Sequence, residues 1–212
     1  MNLRRSRLAA VLVVLGMLVA TPSAAGTEEA ASAPRALIEK ATGELVTAVR
    51  AHRDQIDKNM QVAYDIAAET VLPYVDFPRI ARWVLGKHWR TATPEQRETF
   101  TREFRDFLTH TYVTMMVEYS DQILARSDSV SYPTVRQSSD GTRSLVRSLI
   151  KLDSGSDVEV DYRMYLADAG WRVYDVVVGG VSLAATYRAS FGEQIDRGGF
   201  DGLIAYLVAQ SQ

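Results

Sequence analysis

The chain has 212 residues, a formal net charge of −2 and no cysteine, so neither disulfides nor thiolate chemistry are available to it. An acidic balance disfavours nucleic acid, which demands a concentrated positive patch. Residues 1–25 read as a secretory signal: Arg4, Arg5 and Arg7 precede an uncharged run from Leu8 to Ala20, and Ser23-Ala24-Ala25 offers a small-residue cleavage site. That run has 13 residues, fewer than the roughly 20 needed to span a bilayer. The alternative, an uncleaved anchor, stays open, but no cysteine follows the run to carry a thioether-linked lipid. Cleavage would leave residues 26–212 as a single domain with 21 basic and 26 acidic residues, a net charge of −5. A chain of that length can build its own core without disulfides.

Residues 26–33 are small and polar and read as frayed. From Ala36 the spacing of Leu37, Ala41, Leu45 and Ala48-Val49 predicts an amphipathic helix, closed by Arg50, Arg53, Asp54 and Lys58. A second helix covers Gln61 to Val71 and stops at Leu72, because the residue before Pro73 avoids helical geometry. Asp76 caps a helix from Phe77 to Lys87, and Gly86 marks its far end. Thr93-Pro94-Glu95-Gln96 is a capping box with a proline in the first turn. It opens a long helix to about Ala125, whose apolar face carries Phe100, Phe104, Phe107, Leu108, Tyr112, Met115, Met116, Tyr119 and Ile123.

After Ser127 the period changes to two. Val130 to Gln137 is an edge strand, since it contains Pro133, and Asp140-Gly141 is a hairpin turn. Ser144 to Leu152 alternates, with Val146, Ser148, Ile150 and Leu152 on one side. Asp153 to Asp157 turns the chain. Val158 to Leu166 places Val158, Val160, Tyr162, Met164 and Leu166 inward. In Trp171 to Val178 the alternation fails at Asp175, which a bulge or burial on both sides would explain. Two helical stretches close the chain after Gly179-Gly180. The order predicts an α+β fold: a four-stranded antiparallel sheet curled around an apolar pocket, packed by N-terminal and C-terminal helices.

Motifs of chemistry are few. His52, His88 and His110 have no metal-ligand spacing, and no nucleophile elbow or phosphate loop appears. Asp175 is the one tempting carboxylate, lying within an apolar strand. An acid–base role would need a partner such as Tyr119 or Tyr187. The structural reading has it accept hydrogen bonds from a helix end or from an arginine such as Arg188. The broad Phe/Tyr/Met stripe is either filled core or the wall of a cavity, and methionine suits variable apolar ligands.

Several segments carry a family resemblance. Leu72-Pro73-Tyr74-Val75, Val84-Leu85-Gly86-Lys87 with Trp89, and Ala92-Thr93-Pro94-Glu95-Gln96-Arg97 come first. Phe100, Phe104, Leu108 and Tyr112 continue it, followed by Tyr174-Asp175, Gly180-Val181-Ser182-Leu183, Arg197-Gly198-Gly199 and Asp201-Gly202-Leu203. Over roughly residues 60–207 the chain resembles the MlaC family of periplasmic lipid-binding proteins, also called toluene-tolerance auxiliary proteins. The segment from 26 to 59 matches in helical character only, and Thr142–Leu166 in pattern.

The resemblance implies a monomeric carrier in the periplasm, without catalytic residues, metal or cofactor, whose cargo is phospholipid. It implies docking on an inner-membrane ABC transporter with a mammalian-cell-entry-type subunit and on an outer-membrane lipoprotein–porin complex. The inward positions make the candidate lining: Phe104, Leu108, Tyr112, Met115 and Met116 from the long helix; Val146, Ile150, Tyr162 and Met164 from the sheet; Val176, Val178, Val181 and Leu183 beside the closing helices. A ligand-free adaptor whose stripe is all core, and a pocket enzyme using Asp175, are the competing readings.

Overall fold

The computed structural model describes residues 24–151 and 157–211, with side chains from residue 33. The expected signal at 1–25 lies outside the described residues apart from Ala24 and Ala25, as does the expected 153–157 turn apart from Asp157. Helices α1 (Ala24–Ala51), α2 (Arg53–Ile56) and α3 (Met60–Thr70) come first, followed by a 3-10 turn at Leu72–Tyr74. Then come α4 (Phe77–Leu85), α5 (Lys87–Thr91), α6 (Pro94–Glu118) and α7 (Ser120–Arg126). Strands β1 (Val130–Gln137), β2 (Arg143–Lys151), β3 (Asp157–Ala167), β4 (Gly170–Val178) and β5 (Val181–Ser182) form one antiparallel sheet in chain order, and α8 (Leu183–Gln210) ends the fold.

Local chemistry accounts for most helix ends. Asn59 Oδ1 accepts from Gln61 N–H at 3.0 Å to start α3, and Asp76 Oδ1 accepts from Arg79 N–H at 2.9 Å to start α4. Thr93 and Gln96 form the reciprocal box of α6, with bonds of 3.0 and 3.2 Å. Gly86 ends α4 at φ +53°, and a Cβ there would come within 2.8 Å of the Arg188 guanidinium. The helix read as Phe77 to Lys87 ends at Leu85, with Lys87 opening α5, and two further boundaries differ more widely from the sequence reading. Helix α1 takes in residues 26–33, read as frayed, because Ala30, Ala31 and Ala33 are strong helix formers, and it continues through Pro34, a residue that ordinarily interrupts a helix. The long helix stops at Glu118, because Tyr119 leaves helical geometry (φ −103°, ψ 13°) and the Ser120 hydroxyl donates to the Val117 carbonyl at 2.8 Å.

The sheet has five strands, which corrects the expected four. Strand β5 pairs Val178 with Val181 and Val177 with Ser182 across Gly179-Gly180, both at positive φ. A two-residue strand has no alternation to detect. Pro133 sits on the edge strand where the register slips between Ser131 and Thr134. In β4 the register runs Arg163↔Asp175 and then Met164↔Val173, so Tyr174 is the extra residue of a bulge. The bulge sends Val173 to the side of Met164 and Asp175 to the side of Arg163. Helix α8 consists of two segments meeting at Gly199, whose φ of +68° breaks the helix.

The core divides into three apolar clusters. Helices α4, α6 and α8 enclose Val84, Leu85, Phe100, Phe104, Phe191, Leu203 and Leu207, with Phe100 and Phe104 stacked at 5.3 Å and Phe191 edge-on to Phe104 at 5.5 Å. Helices α1, α2, α3 and α6 share Val49, Ile56, Ala63, Ile66, Val113 and Met116. Helix α1 also covers one face of the sheet, where Ile38 packs with Val146, Met164, Trp171 and Val173. Helix α6 therefore serves two clusters, its first half one and its second half the other, which is why its apolar stripe is wide.

Met164 is fully buried under α1. Replacing it with alanine is expected to lower unfolding stability by about 2–5 kcal/mol, the usual cost of a large-to-small core change, measured by urea denaturation.

Candidate functional site

The three clusters do not close on one another. Between them lies a cavity of about 540 Å³, within the roughly 300–1,000 Å³ of ligand sites. Helix α6 supplies one long wall, from Phe104 through Leu108, Thr109, Tyr112, Val113 and Met115 to Met116, with Tyr119 just past its end. The facing wall runs from Ala67 on α3 through Val71, Leu72 and Val75 to Phe77 and Ile80 on α4. It is tied to the sheet, because Asp76 N–H donates to the Val173 carbonyl at 2.9 Å and the Tyr165 hydroxyl donates to the Asp76 carboxylate. Val173, Asp175, Val176 and Val178 of β4 and Leu183, Ala184 and Tyr187 of α8 complete it, with Leu45 from α1 and Ile123 from α7.

Exposure along this wall is uneven, with Val113 and Met116 buried. Phe104 is fully buried, whereas Tyr112, Met115 and Tyr119 are 39%, 47% and 42% exposed. Val178, across the opening, is 39% exposed. These four residues are the exposed part of the lining, and Phe104 is among its buried part. The lining is almost entirely carbon, so it repels water and accepts apolar chains.

Of the thirteen positions read from the sequence, Phe104, Leu108, Tyr112, Met115, Met116, Val176, Val178 and Leu183 lie on this wall. Val146, Ile150, Tyr162 and Met164 do not. Val146, Tyr162 and Met164 pack in the cluster that α1 covers, with Ile38 and Leu37, and Ile150 is half-buried near the end of β2. Val181 also lies off the wall; it stands at the tip of the β4–β5 hairpin, 59% exposed. Leu166, read as inward, is 49% exposed. The wall formed by Val71, Leu72, Val75, Phe77 and Ile80 was missed. Its signal was an apolar run continuing through Pro73 between two helices, which periodicity within either helix does not register.

Asp175 is the charged group of the wall, 5% exposed. Arg163 Nη1 donates to its Oδ2 at 2.9 Å, the Ser182 hydroxyl donates to the same oxygen at 2.8 Å, and the Ala184 N–H donates to Oδ1 at 3.2 Å. The carboxylate thus sits at the N-terminus of α8, where the helix dipole favours negative charge, and joins β3, β5 and α8. The arginine is Arg163 rather than Arg188, which instead lies over the Trp83 ring at 5.4 Å. Among the described residues, none of its hydrogen bonds goes to Tyr119 or Tyr187. The Tyr187 hydroxyl is pushed well above the usual phenol range, first by burial and then by its hydrogen bond with Tyr112, so it stays neutral.

The histidines are dispersed. His110 Nδ1 bonds the Tyr64 hydroxyl at 2.7 Å, and His88 Nε2 lies 3.9 Å from Asp196. Among the described residues no three His, Cys, Asp or Glu side chains gather closely enough to hold a metal ion, and no helix is long and apolar enough to cross a membrane.

Fold and site together define a class: an α+β protein built round an apolar chamber, its buried carboxylate engaged in holding the frame. The chain belongs to the MlaC family, since residues 39–209 match the family model of the MlaC protein. It is 27% identical over 173 residues to the toluene tolerance protein ttg2D of Pseudomonas putida, covering 81% of this chain and 77% of that protein. It is 23% identical over 184 residues to the intermembrane phospholipid transport system binding protein MlaC of Haemophilus influenzae, covering 85% and 83%. Among solved structures it resembles a phospholipid-binding protein from Ralstonia solanacearum in complex with a phospholipid. The TM-score is 0.70 at 29% identity, over 83% of this chain and 95% of the other.

Proposed function

We propose that this protein is a non-catalytic phospholipid carrier that works in the periplasm, moving lipid between the outer and inner membranes and so maintaining outer-membrane lipid asymmetry. The observation that carries the proposal is the apolar cavity of about 540 Å³, in a chain that resembles a protein solved with phospholipid bound. Energetics give the carrier its purpose. Two acyl chains hold roughly 25–30 methylenes, and exposing each to water costs about 0.8 kcal/mol, of order 20 kcal/mol in all. Free diffusion of lipid is therefore negligible. A carrier need only match the membrane interior, because the lipid starts in surroundings that are already apolar. Transfer is then near balance, and direction is set where the carrier docks.

The export signal read in residues 1–25 supports the periplasmic assignment. We assign as partners an inner-membrane ABC transporter bearing a mammalian-cell-entry-type subunit and an outer-membrane lipoprotein–porin complex, both met by the monomer. The eight wall positions Phe104, Leu108, Tyr112, Met115, Met116, Val176, Val178 and Leu183 are the proposed acyl-chain contacts. A ligand-free adaptor with a filled core fits the chamber poorly. An enzyme using Asp175 fits poorly with a carboxylate that already accepts three hydrogen bonds.

The test is the lipid content of protein purified from the periplasm of its own cells. Native mass spectrometry and solvent extraction are expected to find about one phospholipid or more per chain. Protein that is empty, and that takes up no lipid from vesicles, would sink the proposal.

A further inference from the structure

Helix α4 turns two faces to different surroundings. Phe77, Ile80, Ala81, Val84 and Leu85 are buried, and Phe77 and Ile80 among them line the cavity. Arg79, Arg82 and Trp83 are exposed on the outer side, where residues three and four apart are neighbours. Arg188 joins them from α8, its guanidinium 5.4 Å from the centre of the Trp83 ring. Gly86 leaves room for it, since a Cβ there would stand 2.8 Å from Arg188 Nη2. Arg79 lies over the Tyr165 ring at 3.8 Å. An exposed indole thus shares one surface with three guanidinium groups.

The charge on this surface is largely uncompensated. Residues 77–94 carry Arg79, Arg82, Lys87 and Arg90 and no Asp or Glu, although the whole chain has a net charge of −2. Among the described residues, none of Arg79, Arg82 and Arg188 forms an ion pair. The Asp76 carboxylate at the start of α4 accepts from the Tyr165 hydroxyl and the Arg79 N–H. The dipole at the end of α4 accounts for a cation at Arg82, but not for a tryptophan left 40% exposed beside it. Indole favours the level of lipid head groups, where its ring meets apolar carbon and its N–H meets water. Cations beside it are drawn to an anionic lipid surface.

We propose that the outer face of α4, with Arg188, is a docking surface for membranes that carry anionic phospholipid. The choice of a lipid surface over an acidic protein rests on the phospholipid reading above, since a lipid carrier must reach the bilayer that supplies or receives its cargo. The net negative charge of the chain disfavours other orientations on such a surface. The buried side of the same helix lines the cavity, so docking here holds the chamber one helix thickness from the bilayer, about 10 Å.

The experiment sediments protein purified from the periplasm with vesicles of phosphatidylcholine alone, or of phosphatidylcholine and phosphatidylglycerol in equal parts. At low salt the wild type is expected to pellet with the anionic vesicles and not with the neutral ones, and to be released as salt is raised. Arg82→Gln combined with Arg188→Gln should weaken binding about 25-fold, roughly fivefold for each cation lost. Trp83→Ala should weaken it too while keeping the salt dependence, because the indole's share is not electrostatic. Arg136→Gln with Lys151→Gln is the control: it removes the same charge from exposed positions on β1 and β2 and should bind as the wild type does. Lipid uptake from neutral vesicles is measured on each protein by extraction. Wild type that takes up lipid yet ignores anionic vesicles, or α4 variants that bind no more weakly than the control, would overturn the docking face and leave carriage standing. Wild type that binds anionic vesicles through this face but takes up no lipid would support the face and overturn carriage.

Discussion

Replacing Ala67 with phenylalanine is expected to give a well-folded protein that binds about a hundredfold less phospholipid. Ala67 is buried on α3 and its side chain faces the cavity across from α6. A ring added there enters space that an acyl chain would use. Displacing about four methylenes at roughly 0.8 kcal/mol each amounts to about 3 kcal/mol, which is about two powers of ten in affinity. Folding should not suffer, because filling an apolar void adds packing contacts rather than strain. The paired measurements are extracted lipid per chain and the thermal midpoint of the lipid-free protein. A midpoint equal to or above that of the wild type, with little lipid, is the expected result. A normal lipid load in folded Ala67→Phe would mean that the acyl chains lie elsewhere.

Replacing Asp175 with alanine is expected to cost about 3 kcal/mol of unfolding free energy. The change strands the Ala184 N–H in a buried position and leaves the Ser182 hydroxyl and the Arg163 guanidinium without their shared acceptor. A buried donor without a partner costs about 1–3 kcal/mol. The loss of the Arg163 pair adds less, because that guanidinium is 42% exposed and water screens it. Asp175→Asn keeps an acceptor oxygen and should lose roughly half as much. Urea denaturation separates the three proteins. If Asp175→Ala unfolded at the wild-type midpoint, the carboxylate would not be holding α8 to the sheet, and a chemical role would regain its claim.

Much of the frame was legible because its signals are local. A capping box depends on Thr93 and Gln96 alone, and Asp76 ahead of Phe77-Pro78 caps a helix whatever lies across from it. The bulge in β4 was visible as a failure of alternation at Asp175, and it exists at Tyr174. The break at Tyr119 was not legible, since the apolar stripe runs through it into α7 and only the Ser120 hydroxyl marks the change. Strand β5 was too short to have a period, and Arg163 was too distant in sequence to be matched with Asp175.

The site divides in the same way. By itself the sequence determined the order of most helices and strands, the apolar side of most of them, and the family to which the order of its segments points. It could not decide what each apolar side meets, because period reports only that a face avoids water. Val146 and Met164 avoid it by packing under α1, whereas Leu108 and Met116 avoid it on the wall of a chamber. The pattern is the same in both cases. The difference is whether another element reaches the face and fills it, and that depends on how α1, α3, α6 and β4 are spaced in three dimensions.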